Sequence, residues 1–224
     1  MIYLFDKPKG WTSFDLVKKV RNLTGEKKVG HAGTLDPLAT GLMIVATGKD
    51  TKQLTNIIAH QKTYVTEFLL GRSTTTADQE GETLREISIA KSQISKETIQ
   101  VATESLKGTH TLPVPLYSAV KVEGRKLYWY ARNNITPPEI PVRDMEVLGV
   151  RCLKISNHEL GIMVQLELSV ASGVYIRSLA EYFGKLLKTP AMMWELRRTA
   201  IDDYKLSDAI TIDEFAKLNH SVLR

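Results

Sequence analysis

The sequence predicts an α+β fold in which a mixed, largely antiparallel sheet is flanked by helices. Strand-like and helix-like runs both occur, but they do not alternate strictly as βαβ units. Two β-rich runs, residues 145–155 and 162–170, are separated only by a polar turn, which is a hairpin signal. At 224 residues and 43% apolar content the chain is long enough to bury a sizeable core.

Each element follows from local pattern. Residues 2–5 (IYLF) form a short apolar run ended by the turn residues 6–10 (DKPKG), as a strand would be. Thr12 or Ser13 can cap a helix on which Leu16, Val17, Val20 and Leu23 recur at helical spacing before Gly25 stops it. Residues 42–46 are continuously apolar, the pattern of a strand covered on both faces. A short helix is expected over 50–58, a strand over 62–70, and a threonine-rich loop over 72–81. Ser95 caps a helix over 95–106, a strand is expected over 116–122, and 126–132 reads as helical. The prolines at 137, 138 and 141 require an extended chain there. Leu179, Tyr182, Phe183 and Leu186 make an apolar stripe on a helix over 175–187, followed by a strand over 192–199. Thr211 and Glu214 form a capping box ahead of a last helix.

Composition excludes several function classes. The single cysteine, Cys152, rules out an internal disulfide and a multi-cysteine zinc site, and fits a reducing compartment. The five histidines never fall three to five residues apart, so no metal centre is expected. There is no phosphate-binding glycine loop, no GxSxG elbow, no membrane-length apolar run and no signal-peptide core. The expected location is the cytoplasm. No coiled-coil pattern argues for assembly, and a monomer is expected. The charge is +5, and residues 1–60 hold nine Lys/Arg against five Asp/Glu, a balance of +4. Clustered positive charge points to a polyanion such as nucleic acid.

The most informative stretch is GHAGTLDPLATG at 30–41, which carries His31 and Asp36 among three glycines and one proline. Pro37 biases Asp36 toward an extended backbone. A carboxylate on so constrained a turn has its direction fixed, as a nucleophile or general base requires. The remaining functional side chains are tyrosines and arginines, a set that suits stacking on RNA bases and holding phosphates.

Six segments in order are similar to motifs of the TruB family of tRNA pseudouridine synthases. GHAGTLDPLATGLMIVATGKDTK resembles the motif of the catalytic aspartate, and DKPKGWTS (6–13) resembles the opening motif. KTY followed by LLG (62–71), PLYSAVKVEGRKLYWYAR (115–132), SGVYIRSLA (172–180) and WELRRT (194–199) resemble the others. The resemblance spans nearly the whole chain. It implies the pseudouridine synthase fold with a central active-site cleft, one catalytic domain over 1–224 with a thumb-like insertion around 107–145, and no C-terminal PUA-type domain.

The implied reaction is isomerisation of the uridine at position 55 in the T-loop of tRNA, by base extrusion and covalent catalysis, with no cofactor or metal. Asp36 is the implied nucleophile, attacking either uracil C6 or ribose C1′. Arg177 is its implied ion-pair partner. Tyr64 stacks on the target base and can take the C5 proton. Tyr175 and Leu196 wall the uracil, and His31 takes the place of the extruded nucleotide. Lys18, Lys19, Arg21, Lys27 and Lys28 are expected along the RNA backbone, with the T-arm of tRNA as partner. Lys7 and Pro8 shape the turn beneath the site. Ala32 stands where the family usually has threonine, and Thr75 where an aspartate is common. A guide-dependent RNA pseudouridine synthase, a catalytically silent RNA chaperone and a nucleotide-binding module are the alternatives; the missing phosphate loop disfavours the last.

Overall fold

The computed structural model describes residues 1–88 and 94–222. Thirteen strands and six α-helices follow in chain order: β1 (Ile2–Lys7), α1 (Ser13–Thr24), β2 (Val29–His31), β3 (Thr40–Thr47), α2 (Leu54–Ala59), β4 (Lys62–Leu70), β5 (Arg72–Thr74), β6 (Thr83–Glu86), α3 (Lys96–Glu104), β7 (Gly108–Pro113), β8 (Lys121–Val122), β9 (Arg125–Lys126), α4 (Leu127–Arg132), β10 (Val142–His158), β11 (Gly161–Val170), α5 (Ile176–Leu186), β12 (Ala191–Ile201), β13 (Tyr204–Lys205) and α6 (Ile212–Val222). The chain divides into two compact units, Met1–Val65 with Leu196–Arg224, and Thr66–Glu195.

In the first unit the strands run β1-β3-β12, with β2 also on β3 and β13 on β12. β1 and β2 pair with β3 antiparallel, while β12 pairs with it in parallel, Arg197 opposite Thr40 and Arg198 opposite Gly41. Residues 42–46 are wholly inaccessible, as their unbroken apolar run predicts. Thr12, not Ser13, caps α1: its hydroxyl accepts from Asp15 N, and the Asp15 carboxylate accepts from Thr12 N. Leu16, Val17 and Val20 face inward, and Gly25 ends the helix at φ 67°. The Thr211–Glu214 capping box forms at α6, which sets Phe215 edge-on against Tyr3 and Phe5. Ala32, Leu42, Ile44, Leu54, Ile57 and Ile201 share one apolar cluster. Ala32 therefore sits where a threonine hydroxyl would need a buried partner.

In the second unit the order is β12-β4-β11-β10-β7. The expected hairpin is present and longer than its apolar runs suggest: β10 and β11 pair antiparallel from Val147↔Val170 to His158↔Gly161. Two register shifts, at Val147/Gly149 and Cys152/Lys154, break the alternation that sequence periodicity relies on. β7 was not expected, because of its six residues (GTHTLP) only Leu112 is buried. As an edge strand on β10 it needs little apolar content. Residues 72–81 are not all loop, since β5 pairs with β6. Of the strand expected over 116–122 only Lys121–Val122 forms, in a small hairpin with β9. α5 is buried all round its first turn, and Phe183 packs on Phe68 at 5.7 Å.

Candidate active site

The first unit holds His31, Asp36, Tyr64 and Leu196, together with Lys18, Lys19, Arg21, Lys27 and Lys28; the second holds Tyr175 and Arg177. Asp36 is half-buried on the connection from β2 to β3, between the buried Leu35 and Leu38. Its carbonyl accepts from Ala39 N at 3.0 Å, which closes a turn. Two positions, one on the connection and one at the start of β3, depend on glycine: Gly33 has φ 87°, and Gly41 has φ 100° with an added Cβ only 2.3 Å from the Arg198 carbonyl oxygen. Gly30 is different. It lies in β2, where a side chain would press on Leu54 at 2.9 Å.

The motif at 6–13 grips this connection. Ser13 Oγ donates to Leu35 O at 3.0 Å and accepts from Leu35 N at 2.9 Å. Gly10 N donates to Pro37 O at 2.8 Å. Lys7 is fully buried, and its Nζ donates to Trp11 O at 2.6 Å, Pro8 O at 3.0 Å and Pro37 O at 3.4 Å. Lys7 thus shapes the turn, as the sequence implies. The WELRRT segment grips it as well. Arg197 bonds both carboxylate oxygens of Asp6, at 2.6 and 3.1 Å, and Thr40 Oγ1 at 3.2 Å. Arg198 is 1% exposed and donates to Leu42 O and Gly33 O.

His31 is half-buried, with Nδ1 buried and without a hydrogen-bond partner. Burial foremost lowers its pKa against an opposing backbone hydrogen bond with Gly33, and the nearby Arg198 charge adds to the lowering, so the neutral ring is favoured. Tyr64 is 7% exposed on β4 and Leu196 8% exposed on β12. Lys18, Lys19, Lys27 and Lys28 are exposed, while Arg21 is half-buried.

In the second unit Tyr175 is the N-cap residue of α5, half-buried, and Arg177 follows on the covered face at 5% exposure. The Arg177 guanidinium donates to Thr76 O at 3.0 Å and Tyr117 O at 2.9 Å, and its Nε lies 3.7 Å from the Asp78 carboxylate. Asp78 is 2% exposed and also accepts from Thr76 Oγ1 and from Glu80 N at 3.0 Å. The sequence alone assigns Asp78 no role. Gly81 admits no side chain, since an added Cβ would lie 2.4 Å from Thr76 Oγ1. Thr75 closes the same turn: its Oγ1 accepts from Glu82 N, and its own N–H bonds Glu82 O. Among the described residues no group of three or more His, Cys, Asp or Glu could hold a metal ion.

Residues 21–176 match the TruB family pseudouridylate synthase N-terminal domain. The chain is 41% identical over 224 residues to the tRNA pseudouridine synthase B of Lactobacillus delbrueckii subsp. bulgaricus, covering 98% of this chain and 74% of that protein. It is 40% identical over 228 residues to the tRNA pseudouridine synthase B of Desulfotalea psychrophila, covering 98% and 89%. Among solved structures it resembles a chain in the crystal structure of a Cbf5–Nop10–Gar1 complex, with a TM-score of 0.73 and 27% identity over 96% of this chain. It spans about half of that solved chain, 53%. A fixed aspartate turn on a mixed sheet with these likenesses defines a pseudouridine synthase, an enzyme that isomerises uridine to pseudouridine. Within that class, the chain belongs to the TruB family.

Proposed function

We propose that this chain isomerises uridine 55 in the T-loop of tRNA, with Asp36 as nucleophile. The observation that carries the reading is the turn itself. Leu35 and Pro37, on either side of Asp36, are bonded to Ser13, Gly10 and Lys7, so the carboxylate is presented from a backbone that cannot drift. In the reaction the N1–C1′ bond breaks, the C5–C1′ bond forms, C5 loses a proton and N1 gains one. No oxidant or cofactor enters that balance. Attack by Asp36 at C6 or at C1′ would divide one difficult step into two. Tyr64 stacks on the base, and its hydroxyl oxygen takes the C5 proton as its own proton passes on to solvent or toward N1. Arg177 balances the nucleophile's charge, while Tyr175 and Leu196 wall the uracil. A neutral, partly buried His31 suits a wedge that fills the gap left by the extruded nucleotide.

The RNA backbone would follow Lys18, Lys19, Arg21, Lys27 and Lys28. A second support for RNA lies around 107–145, the proposed thumb. There the Arg125 guanidinium stacks on Trp129 at 4.1 Å, and Lys126 and Arg132 lie 5.4 and 5.3 Å from the Tyr128 ring. Rings and guanidinium planes interleaved in this way stack on unpaired bases.

The test is incubation of the purified protein, without guide RNA, with an unmodified tRNA transcript, followed by mapping of pseudouridine. Product at the T-loop uridine is expected; its absence sinks the reading. Asp36→Asn should abolish turnover while tRNA binding persists. Near wild-type turnover from Asp36→Asn would move the nucleophile elsewhere.

A further inference from the structure

Arg198 is buried to 1% exposure beneath the segment that carries Asp36, yet the bonds that describe it go to backbone rather than to an acid. Its Nε donates to Leu42 O at 2.7 Å and its Nη2 to Gly33 O at 3.2 Å. These two carbonyls lie on opposite sides of Asp36, one where the turn begins and one where β3 takes over. The geometry points to Arg198 as a positioning residue for the isomerisation: its guanidinium ties the two ends of the turn together and so fixes where the Asp36 carboxylate stands. This rests on the reading of Asp36 as the nucleophile.

Three further features support it. Gly41 lies against the Arg198 backbone so closely that no side chain fits, and the two residues are paired across parallel strands. The tie is thus anchored by a strand pair and not by a mobile side chain alone. Gly33 lies beside the same guanidinium, since an added Cβ would stand 3.5 Å from Arg198 Nη1, and its φ of 87° is what favours glycine there. Finally, a guanidinium holds its donors in a rigid fork and stays charged at every physiological pH, so it can serve two separate carbonyls at once. An ammonium carries its three donors on one nitrogen and not on the two separate atoms, Nε and Nη2, that serve the carbonyls here, and an apolar side chain of similar length donates nothing. Packing alone does not call for a buried charge here, because apolar replacements of buried charges are often neutral or stabilising.

The experiment compares Arg198→Lys and Arg198→Met with wild type in single-turnover pseudouridine formation on a tRNA transcript, with tRNA affinity and thermal melting measured in parallel. If Arg198 acts through position, affinity stays within about threefold of wild type. The rate then falls by about 10-fold in Arg198→Lys and by about 100-fold in Arg198→Met, the size of loss expected when a reacting group is displaced by about an ångström. Amide exchange should also quicken at Leu35 and Ala39, whose N–H groups donate to Ser13 Oγ and to Asp36 O. A purely packing role gives another result: the rate of folded Arg198→Met remains near wild type. That result, or a rate for Arg198→Met equal to or above that of Arg198→Lys, overturns the proposal. So does failure of Arg198→Lys to melt cooperatively, since the guanidinium would then be a requirement of folding. Absence of product from wild type in the same assay would instead sink the proposed function.

Discussion

Replacing Lys62 with methionine removes a charge that the fold holds unfavourably, and the size of the effect follows from one equilibrium. Lys62 is 6% exposed, and its Nζ donates to Ile58 O at 2.5 Å and His60 O at 2.7 Å. Burial, and behind it the nearby Arg198 charge, pull its pKa from the ordinary 10.5 to about 8. Between those values the unfolded chain keeps a proton that the folded chain has released, so stability rises with pH across the window. Below it both states are protonated and the fold carries the full penalty, which for this shift is up to about 3 kcal/mol. Methionine has no such penalty but leaves two carbonyls without this donor, a loss of roughly 1–2 kcal/mol. The net change at neutral pH is therefore small, and the dependence on pH is the decisive quantity. Urea unfolding of both proteins at a series of pH values measures it. Wild type should gain on Lys62→Met by about 3 kcal/mol, almost all of it above the folded-state pKa. Parallel stability curves would refute the account of a buried, weakly basic ammonium.

Substitutions at two other positions test the buried contacts. Ser13→Ala removes both bonds to Leu35 and strands a buried N–H and C=O, which should lower stability by roughly 2–3 kcal/mol in urea unfolding. Its turnover should fall while its tRNA affinity holds, because the change reaches the site through the turn. Asp78→Ala removes the buried carboxylate beside Arg177 and the acceptor for Glu80 N and should cost about 3–5 kcal/mol, whereas Asp78→Asn, which loses the same charge but keeps an acceptor for Glu80 N, should cost less. Equal losses from the two Asp78 variants would show that the acceptor is not the cause, because both variants remove the charge.

What sequence could reveal depended on how local the cause was. The five residues of β3 from Leu42 to Ala46 announce a strand covered on both faces, and Thr12 and Thr211 announce the caps of α1 and α6, because pattern and cap lie within a few residues of each other. β7 left no such trace: it forms because β10 offers an edge, and GTHTLP by itself reads as a loop. Ser13 reads as a cap from its position, yet its hydroxyl serves Leu35, 22 residues away. The site divides along the same line. His31, Asp36 and Gly41 stand together in one motif. The buried cations that steady them come from residues 7 and 198, and nothing in the spacing of Lys7 or Arg198 says that their bonds reach the same turn. Asp78 is likewise one acidic residue in a threonine-rich stretch until Arg177 is found beside it.

The need for those cations follows from the backbone of the turn. A segment with three glycines and a proline, joining two strands, cannot satisfy its carbonyls in a regular ladder, and buried carbonyls without partners are costly. Water could supply donors, but water beneath the turn would let it move. Long basic side chains supply donors from a fixed scaffold instead: Lys7 from the end of β1 to Pro37, and Arg198 from β12 to Gly33 and Leu42. Both bond the backbone of the turn, so the segment that carries Asp36 is held from a fixed scaffold. A family motif with glycines at fixed places and basic residues far away in sequence is what such an arrangement requires, and the substitution series at Arg198 measures how much of catalysis depends on it.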